Sequence, residues 1–171
     1  MTNPITLHRQ FEPITAAAFA RYGSVVEIGE PRGYPINGGT AMRSDSDAAL
    51  VLDASGGRPL LSTFVVQPVK LPLICRRLER HPMSSQLFMP LEGRRFGVVV
   101  ALGDAAPDPT TLRAFVTNGQ QGVNYAPGTW HHPAIALDDV TGFLVVGRQA
   151  RCAAEDFDLV AFPDEIAVEL S

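Results

Sequence analysis

The chain has 171 residues, 46% hydrophobic and 19% charged, with a formal net charge of −4. Such a chain can bury a sizeable core and has the composition of a folded globular protein. It shows no basic block of the kind a nucleic-acid binder carries. No apolar run approaches the roughly 18 residues that a membrane-spanning helix needs.

The opening Met1-Thr2-Asn3-Pro4-Ile5-Thr6 has no basic-then-apolar leader pattern, so the expected compartment is the cytoplasm. Lys70 is the only lysine beside thirteen arginines, the residue that grips planar carboxylates with two parallel hydrogen bonds. Cys75 and Cys152 are isolated and read as reduced and structural, not as a disulfide or a zinc pair.

In chain order, Thr15 is positioned to cap a short helix over Ala16 to Arg21, and Gly23 sits where a left-handed stop belongs. Val25 to Ile28 reads as a strand. Residues 29–47 are rich in Gly, Pro, Asn and Ser and read as a long polar loop. Strand signals then dominate: Leu60 to Val69, Leu71 to His81, Gln86 to Pro90 and the buried run Phe96 to Ala101. Asp104 to Pro109 is a loop and Leu112 to Val116 a strand, closed by Asn118-Gly119, a hairpin dipeptide. Gly122 to Tyr125, Ala134 to Leu137, Gly142 to Val146 and Phe157 to Phe162 complete the set. Many short strands with little helix point to a mainly β sandwich or closed barrel. No repeat or linker divides the chain, so residues 1–171 are expected to form a single domain.

The chemistry gathers in two stretches. Successive strand residues alternate faces, so Glu79 and His81 point the same way. Gln86 follows after a short Pro-containing bend, and Tyr125-Ala126-Pro127-Gly128-Thr129-Trp130-His131-His132-Pro133 adds two histidines behind a Pro-Gly turn. A carboxylate, two imidazoles and an amide suit both proton transfer and a first-row divalent ion. His131 and His132 cannot both face inward on a regular strand.

Glu79-x-His81, four residues, Gln86, six residues and Gly93 match the spacing of the first cupin motif, with Glu and Gln replacing one His and the Glu. Gly128-Thr129-Trp130-His131 matches the second. At a finer level the chain resembles the ureidoglycolate lyase family in three long runs, Leu78 to Leu91, Ala114 to Tyr125 and Gly128 to Pro133. Ile36-Asn37-Gly38-Gly39-Thr40-Ala41-Met42-Arg43 also looks like that family's amino-terminal loop.

The resemblance implies a cupin-type double-stranded β-helix (jelly-roll barrel) with a short N-terminal helix. It implies cleavage of ureidoglycolate into glyoxylate and urea in allantoin breakdown, by a cytoplasmic homodimer acting on a small-molecule substrate. Glu79, His81 and His131 are then the expected proton-transfer residues. Arg43 is the expected carboxylate clamp, with Arg77 as second choice because it shares the face of Glu79. Gln86, Asn37 and Tyr125 are the other expected substrate-binding residues. A divalent metal, Ni2+ first and otherwise Zn2+ or Mn2+, would be held by Glu79, His81, Gln86 and His131, although the site could also work without one.

His131 fits the cupin spacing, so His132 is the expected structural partner. Tyr125 and Trp130 read as core or pocket wall, while His8 reads as surface and Lys70 as structural. Other readings of the same pattern are a metal-dependent cupin isomerase or oxygenase and a non-catalytic cupin that binds a small acid.

Overall fold

The structure, a computed structural model, describes residues 5–29, 33–163 and 166–171. Residues 1–4 of the amino terminus and residues 30–32 of the expected loop lie outside the described residues.

The chain opens with strands β1 (Ile5–Arg9) and β2 (Phe11–Pro13), helix α1 (Ala16–Phe19) and strand β3 (Gly23–Glu27). Then come β4 (Tyr34–Ile36), β5 (Ala41–Arg43), β6 (Arg58–Val66), β7 (Leu73–Cys75), β8 (Arg77–Arg80) and β9 (Gln86–Pro90). The second half holds β10 (Phe96–Ala101), β11 (Arg113–Val116), β12 (Gln121–Tyr125), β13 (Trp130–His131) and β14 (Ile135–Ala136). It closes with β15 (Thr141–Gln149), β16 (Asp158–Ala161) and β17 (Ile166–Leu170). Among the described residues the fold is mainly β, with one short α-helix near the amino terminus.

Two sheets form the inner sandwich. One runs β16-β8-β13-β10-β11-β2, with β14 also on β10, and the other runs β3-β12-β9-β15-β6. Their facing residues interlock in one aromatic core: Phe88, Phe96, Phe115, Val98, Val123 and Phe143 are all buried, and the rings of Phe96 and Phe143 meet edge to face at 5.0 Å. A third layer, the β1-β17-β7 sheet, covers the other face of the first. It buries Cys75, Val168 and Leu170 against Leu78, Val99 and Trp130. With both faces covered, β10 is buried at every residue, which is why its sequence is a continuous apolar run without alternation.

Several expectations need correction. The run Leu71 to His81 breaks at Arg76, and its halves join different sheets: β7 pairs with β17, and β8 with β16 and β13. Asn118-Gly119 is no hairpin. β11 pairs with β10 and β2 while β12 pairs with β3 and β9, so the dipeptide carries the chain across from one sheet to the other. The described part of the polar loop holds the β4/β5 hairpin, with Asn37 at φ 52° in its turn. Helix α1 stops at Phe19, two residues short of the expected end. Thr15 does cap it, its hydroxyl accepting from Ala18 N at 3.1 Å. Gly23 has φ 150°, and a Cβ there would collide with the Asn124 carbonyl of β12, so glycine lets β3 join its neighbour.

Candidate active site

Glu79 on β8 and His131 on β13 are direct partners in the first inner sheet, so their side chains share a face. Leu78, pointing the opposite way, is wholly buried in the outer core, which leaves Glu79 facing the sandwich interior. The carboxylate oxygen of Glu79 stands 3.6 Å from His131 Nε2. His81 lies just beyond the end of β8, its ring centroid 5.8 Å from that of His131. Gly128, at φ 80°, turns the chain into β13 and donates its N–H to the His81 carbonyl at 2.8 Å. That bond fixes the two histidine segments together.

The facing sheet supplies the amide. Gln86 on β9 is paired with Tyr125 on β12, so these side chains also share a face. The Tyr125 ring stacks on His131 with centroids 4.1 Å apart and planes 13° from parallel. The structure thus brings Glu79, His81, His131, Tyr125 and Gln86 together from both walls of the sandwich.

Each histidine has one nitrogen engaged and one free. Nδ1 of His81 donates to the Asp156 carbonyl at 2.8 Å, and Nδ1 of His131 to the Thr129 carbonyl at 2.8 Å. A carbonyl only accepts, so each Nδ1 carries a hydrogen, and in the neutral ring it is Nε2 that presents the lone pair. Both Nε2 atoms are buried without a partner, as is Oε1 of Gln86. One ligand atom each from Glu79, His81 and His131 lie within 4.8 Å of one another. Unpartnered lone pairs on imidazole and amide, beside a carboxylate, are a donor set suited to a divalent ion. Glu79, His81 and His131 can hold one.

A cavity of about 190 Å³ opens beside these groups, lined by Leu60, Ser62, Phe64, His81, Gln86 and Arg148 among others. Drug-sized ligands occupy roughly 300–1,000 Å³, so this space fits a smaller molecule. Glu79 and His131 adjoin His81 without lining the cavity themselves.

Burial sets the electrostatics. It pushes His131 down to about 3, so this ring stays neutral and accepts or ligates through Nε2. Burial raises the Glu79 carboxyl, against the opposing pull of His81 and Arg77, and makes it a stronger base than an exposed glutamate. The Tyr125 phenol is raised by burial first and by the Glu79 charge second, so it stays protonated.

The proposed clamp is placed elsewhere. Arg43 sits on the exposed β4/β5 hairpin, with Nε 2.8 Å from Asp45, and neither it nor Asn37 lines the cavity. A short hairpin that turns on Asn37-Gly38-Gly39 points its polar ends outward. Arg77 is exposed as well. The cationic side chain at the cavity is Arg148, which sequence reasoning missed. Its guanidinium is wholly buried between Asp156, at 3.3 Å, and Glu155, at 3.4 Å. The available signal was an arginine near the end of the apolar run Gly142 to Val146. His132 is half-buried and donates through Nδ1 to the Pro133 carbonyl, outside the cluster, while His8 and Lys70 are exposed. Cys75 and Cys152 are free, and burial pushes the Cys75 thiol up to about 12.

A family model described as ureidoglycolate lyase matches residues 6–169. The chain belongs to the ureidoglycolate lyase family. A ureidoglycolate lyase of Burkholderia mallei (strain NCTC 10229) is 51% identical over 138 residues, covering 80% of each chain. One of Escherichia coli O9:H4 (strain HS) is 44% identical over 156 residues, covering 91% of this chain and 95% of that one. Among solved structures, NovW, a 4-keto-6-deoxy sugar epimerase of Streptomyces spheroides, aligns over 96% of this chain and 80% of its own at 15% identity, with a TM-score of 0.47. The ureidoglycolate lyase match spans every strand of both inner sheets and every residue of the Glu79 cluster. The relatives' names favour neither an isomerase or oxygenase nor a non-catalytic binder.

Proposed function

We propose that the protein is a carbon–nitrogen lyase that splits ureidoglycolate into glyoxylate and urea. The observation that carries this reading is the cluster of Glu79, His81 and His131, joined through His81 to the wall of a cavity that fits a small molecule, in a chain of this family. The substrate bears a hydroxyl, a ureido nitrogen and a carboxylate on one carbon. Its C–N bond breaks as the hydroxyl oxygen gives up its proton and becomes a carbonyl, and the leaving nitrogen takes a proton. No water is consumed.

Glu79 is the base in this scheme, because burial strengthens it. As a carboxylic acid it then returns the proton to the leaving nitrogen, so the books balance within one side chain. Such paired acid–base work contributes roughly 10²- to 10⁴-fold. His81 and His131 orient the hydroxyl through their free Nε2 atoms, and Gln86 and Tyr125 hold the rest of the substrate. When bound, a divalent ion held by Glu79, His81, Gln86 and His131 would polarise the hydroxyl oxygen and lower its pKa. Nickel is our first choice, with zinc or manganese next.

The assembly we favour is a homodimer. Among the described residues β6 pairs only with β15 and forms a sheet edge. It exposes Leu60, Leu61, Phe64 and Val65, an apolar edge of the kind a second copy covers. Free cysteines, one of them exposed, suit a cytoplasmic location, and the reaction suits nitrogen recovery from allantoin.

Incubation with ureidoglycolate, followed by assays for urea, ammonia and glyoxylate, tests the reaction. Urea with glyoxylate and no ammonia is expected. Release of ammonia would mean amide hydrolysis and would overturn the lyase reading.

A further inference from the structure

We infer that Asp156, held by the buried guanidinium of Arg148, is a positioning residue that fixes the ring of His81 in the site. His81 lies past the last ladder residue of β8, so strand pairing does not hold its side chain. Asp156 supplies the missing restraint at three points. Its carbonyl receives His81 Nδ1 at 2.8 Å, its Oδ1 receives Met83 N at 2.7 Å, and its Oδ2 receives Ser84 Oγ at 2.6 Å. One residue therefore ties both the ring and the backbone of the turn that joins β8 to β9.

Asp156 is anchored in turn. Nη1 of Arg148 lies 3.3 Å from Oδ2 of Asp156, while Nε and Nη2 of Arg148 both donate to the Ala54 carbonyl, at 2.9 and 2.7 Å. The two side chains are 0% and 4% exposed. A buried ion pair of this kind adds little stability over well-packed apolar residues. What it does supply is a fixed place for the Asp156 carbonyl. The Phe157 ring, 5.8 Å from His81, flanks the imidazole. With Nδ1 engaged, only Nε2 can present a lone pair to the cavity; with Nδ1 released, the ring can rotate and exchange tautomers.

Only the kinetic arm of the test rests on the lyase reading. Asp156→Asn keeps the volume and removes the charge that Arg148 and Ser84 bind. Loss of such a supporting partner costs about 10- to 100-fold in activity or metal affinity. The variant is accordingly expected to lose kcat by that factor with KM little changed. In the metal-free protein its His81 ring nitrogens, followed by 15N NMR, should lose their single-tautomer separation. A folded Asp156→Asn with wild-type His81 nitrogen shifts would overturn the inference, whatever happens to kcat. Should that variant fail to fold, Ser84→Ala decides, since it cuts one tie and leaves Asp156 on Arg148. Displaced His81 shifts are expected there too, and unmoved shifts would refute the role. If the wild-type protein left ureidoglycolate intact, the lyase reading would fall while the nitrogen shifts still judged Asp156.

Discussion

The two ends of the inner sandwich lie between the same two sheets and do opposite things. At the sealed end, Phe96, Phe115 and Phe143 are buried in an apolar cluster, and the rings of Phe96 and Phe143 meet edge to face. At the open end, Glu79, His81 and His131 meet Gln86 of the facing wall, and Nε2 of both histidines and Oε1 of Gln86 are buried without a partner. An unsatisfied buried polar atom costs about 1–3 kcal/mol, so the open end is a place where stability has been given up. The seam between them is Tyr125, in the aromatic core on one side and stacked on His131 on the other. The fold is held together at its aromatic end and gives up some of that stability at the other, where buried polar atoms stay unpartnered.

The two ends should fail differently when damaged. Phe143→Ala removes a wholly buried ring from the sealed end and should cost about 3–5 kcal/mol of stability. Urea denaturation measures it, and turnover per folded molecule should stay close to normal. His131→Ala strikes the open end: turnover should fall at least roughly 10²-fold, about 2.7 kcal/mol of barrier, while the fold persists. A variant at either end that lost stability and turnover in equal measure would erase the distinction between them.

The same contrast explains what the sequence made legible. Gln86 to Pro90 and Phe96 to Ala101 were readable to the residue, because a buried strand announces itself by composition alone. Glu79, His81 and His131 were readable as a group because alternation along a strand puts Glu79 and His81 on one side, and the Gly128 turn brings His131 opposite Glu79. What stayed hidden depended on long-range pairing. β1 and β17 lie side by side although 156 residues separate Arg9 from Ile166 at the least, and nothing local marks either as a partner. Asn118-Gly119 looks like a hairpin because its local chemistry is the same whether the next strand returns or crosses over. Arg148 was passed over because a lone arginine near an apolar run looks like a surface residue until Asp156 and Glu155 are folded against it. Arg43 drew attention for the converse reason: a polar Gly-rich loop looks functional, and here its arginine is paired with Asp45 in the open.

Acid should single out the open end. His131 ordinarily titrates near 6.5, and burial lowers it to about 3 in the folded chain. Between those values the unfolded chain binds the extra proton, so the ring's contribution to stability is fully present above about pH 6.5 and is lost as pH falls toward 3. The slope for one such proton is about 1.4 kcal/mol per pH unit. Glu79, raised by burial, works in the opposite sense from its ordinary value upward, since its folded form holds a proton longer. Stability curves of metal-free wild type and His131→Ala over this range should therefore converge at low pH, the variant showing the flatter slope. Parallel curves would mean that folding leaves the titration of His131 unchanged and that burial does not hold its ring neutral.

Arg43→Ala should do least. The side chain is more than half exposed, and its partner Asp45 is equally so. An exposed pair of this kind is worth about 0–1 kcal/mol. Removing it should leave stability, kcat and KM within about twofold of wild type, since no cavity contact is lost. That expectation sets the hairpin against the cavity. A KM raised tenfold would return Arg43 to the carboxylate, and the contact would then have to come from a second copy seated on the exposed β6 edge or from movement of the hairpin toward His81. Deleting the β6 edge's apolar character with Leu61→Lys separates the two routes: it should raise KM in parallel if the arginine arrives from a partner, and leave KM alone if the hairpin moves within its own chain.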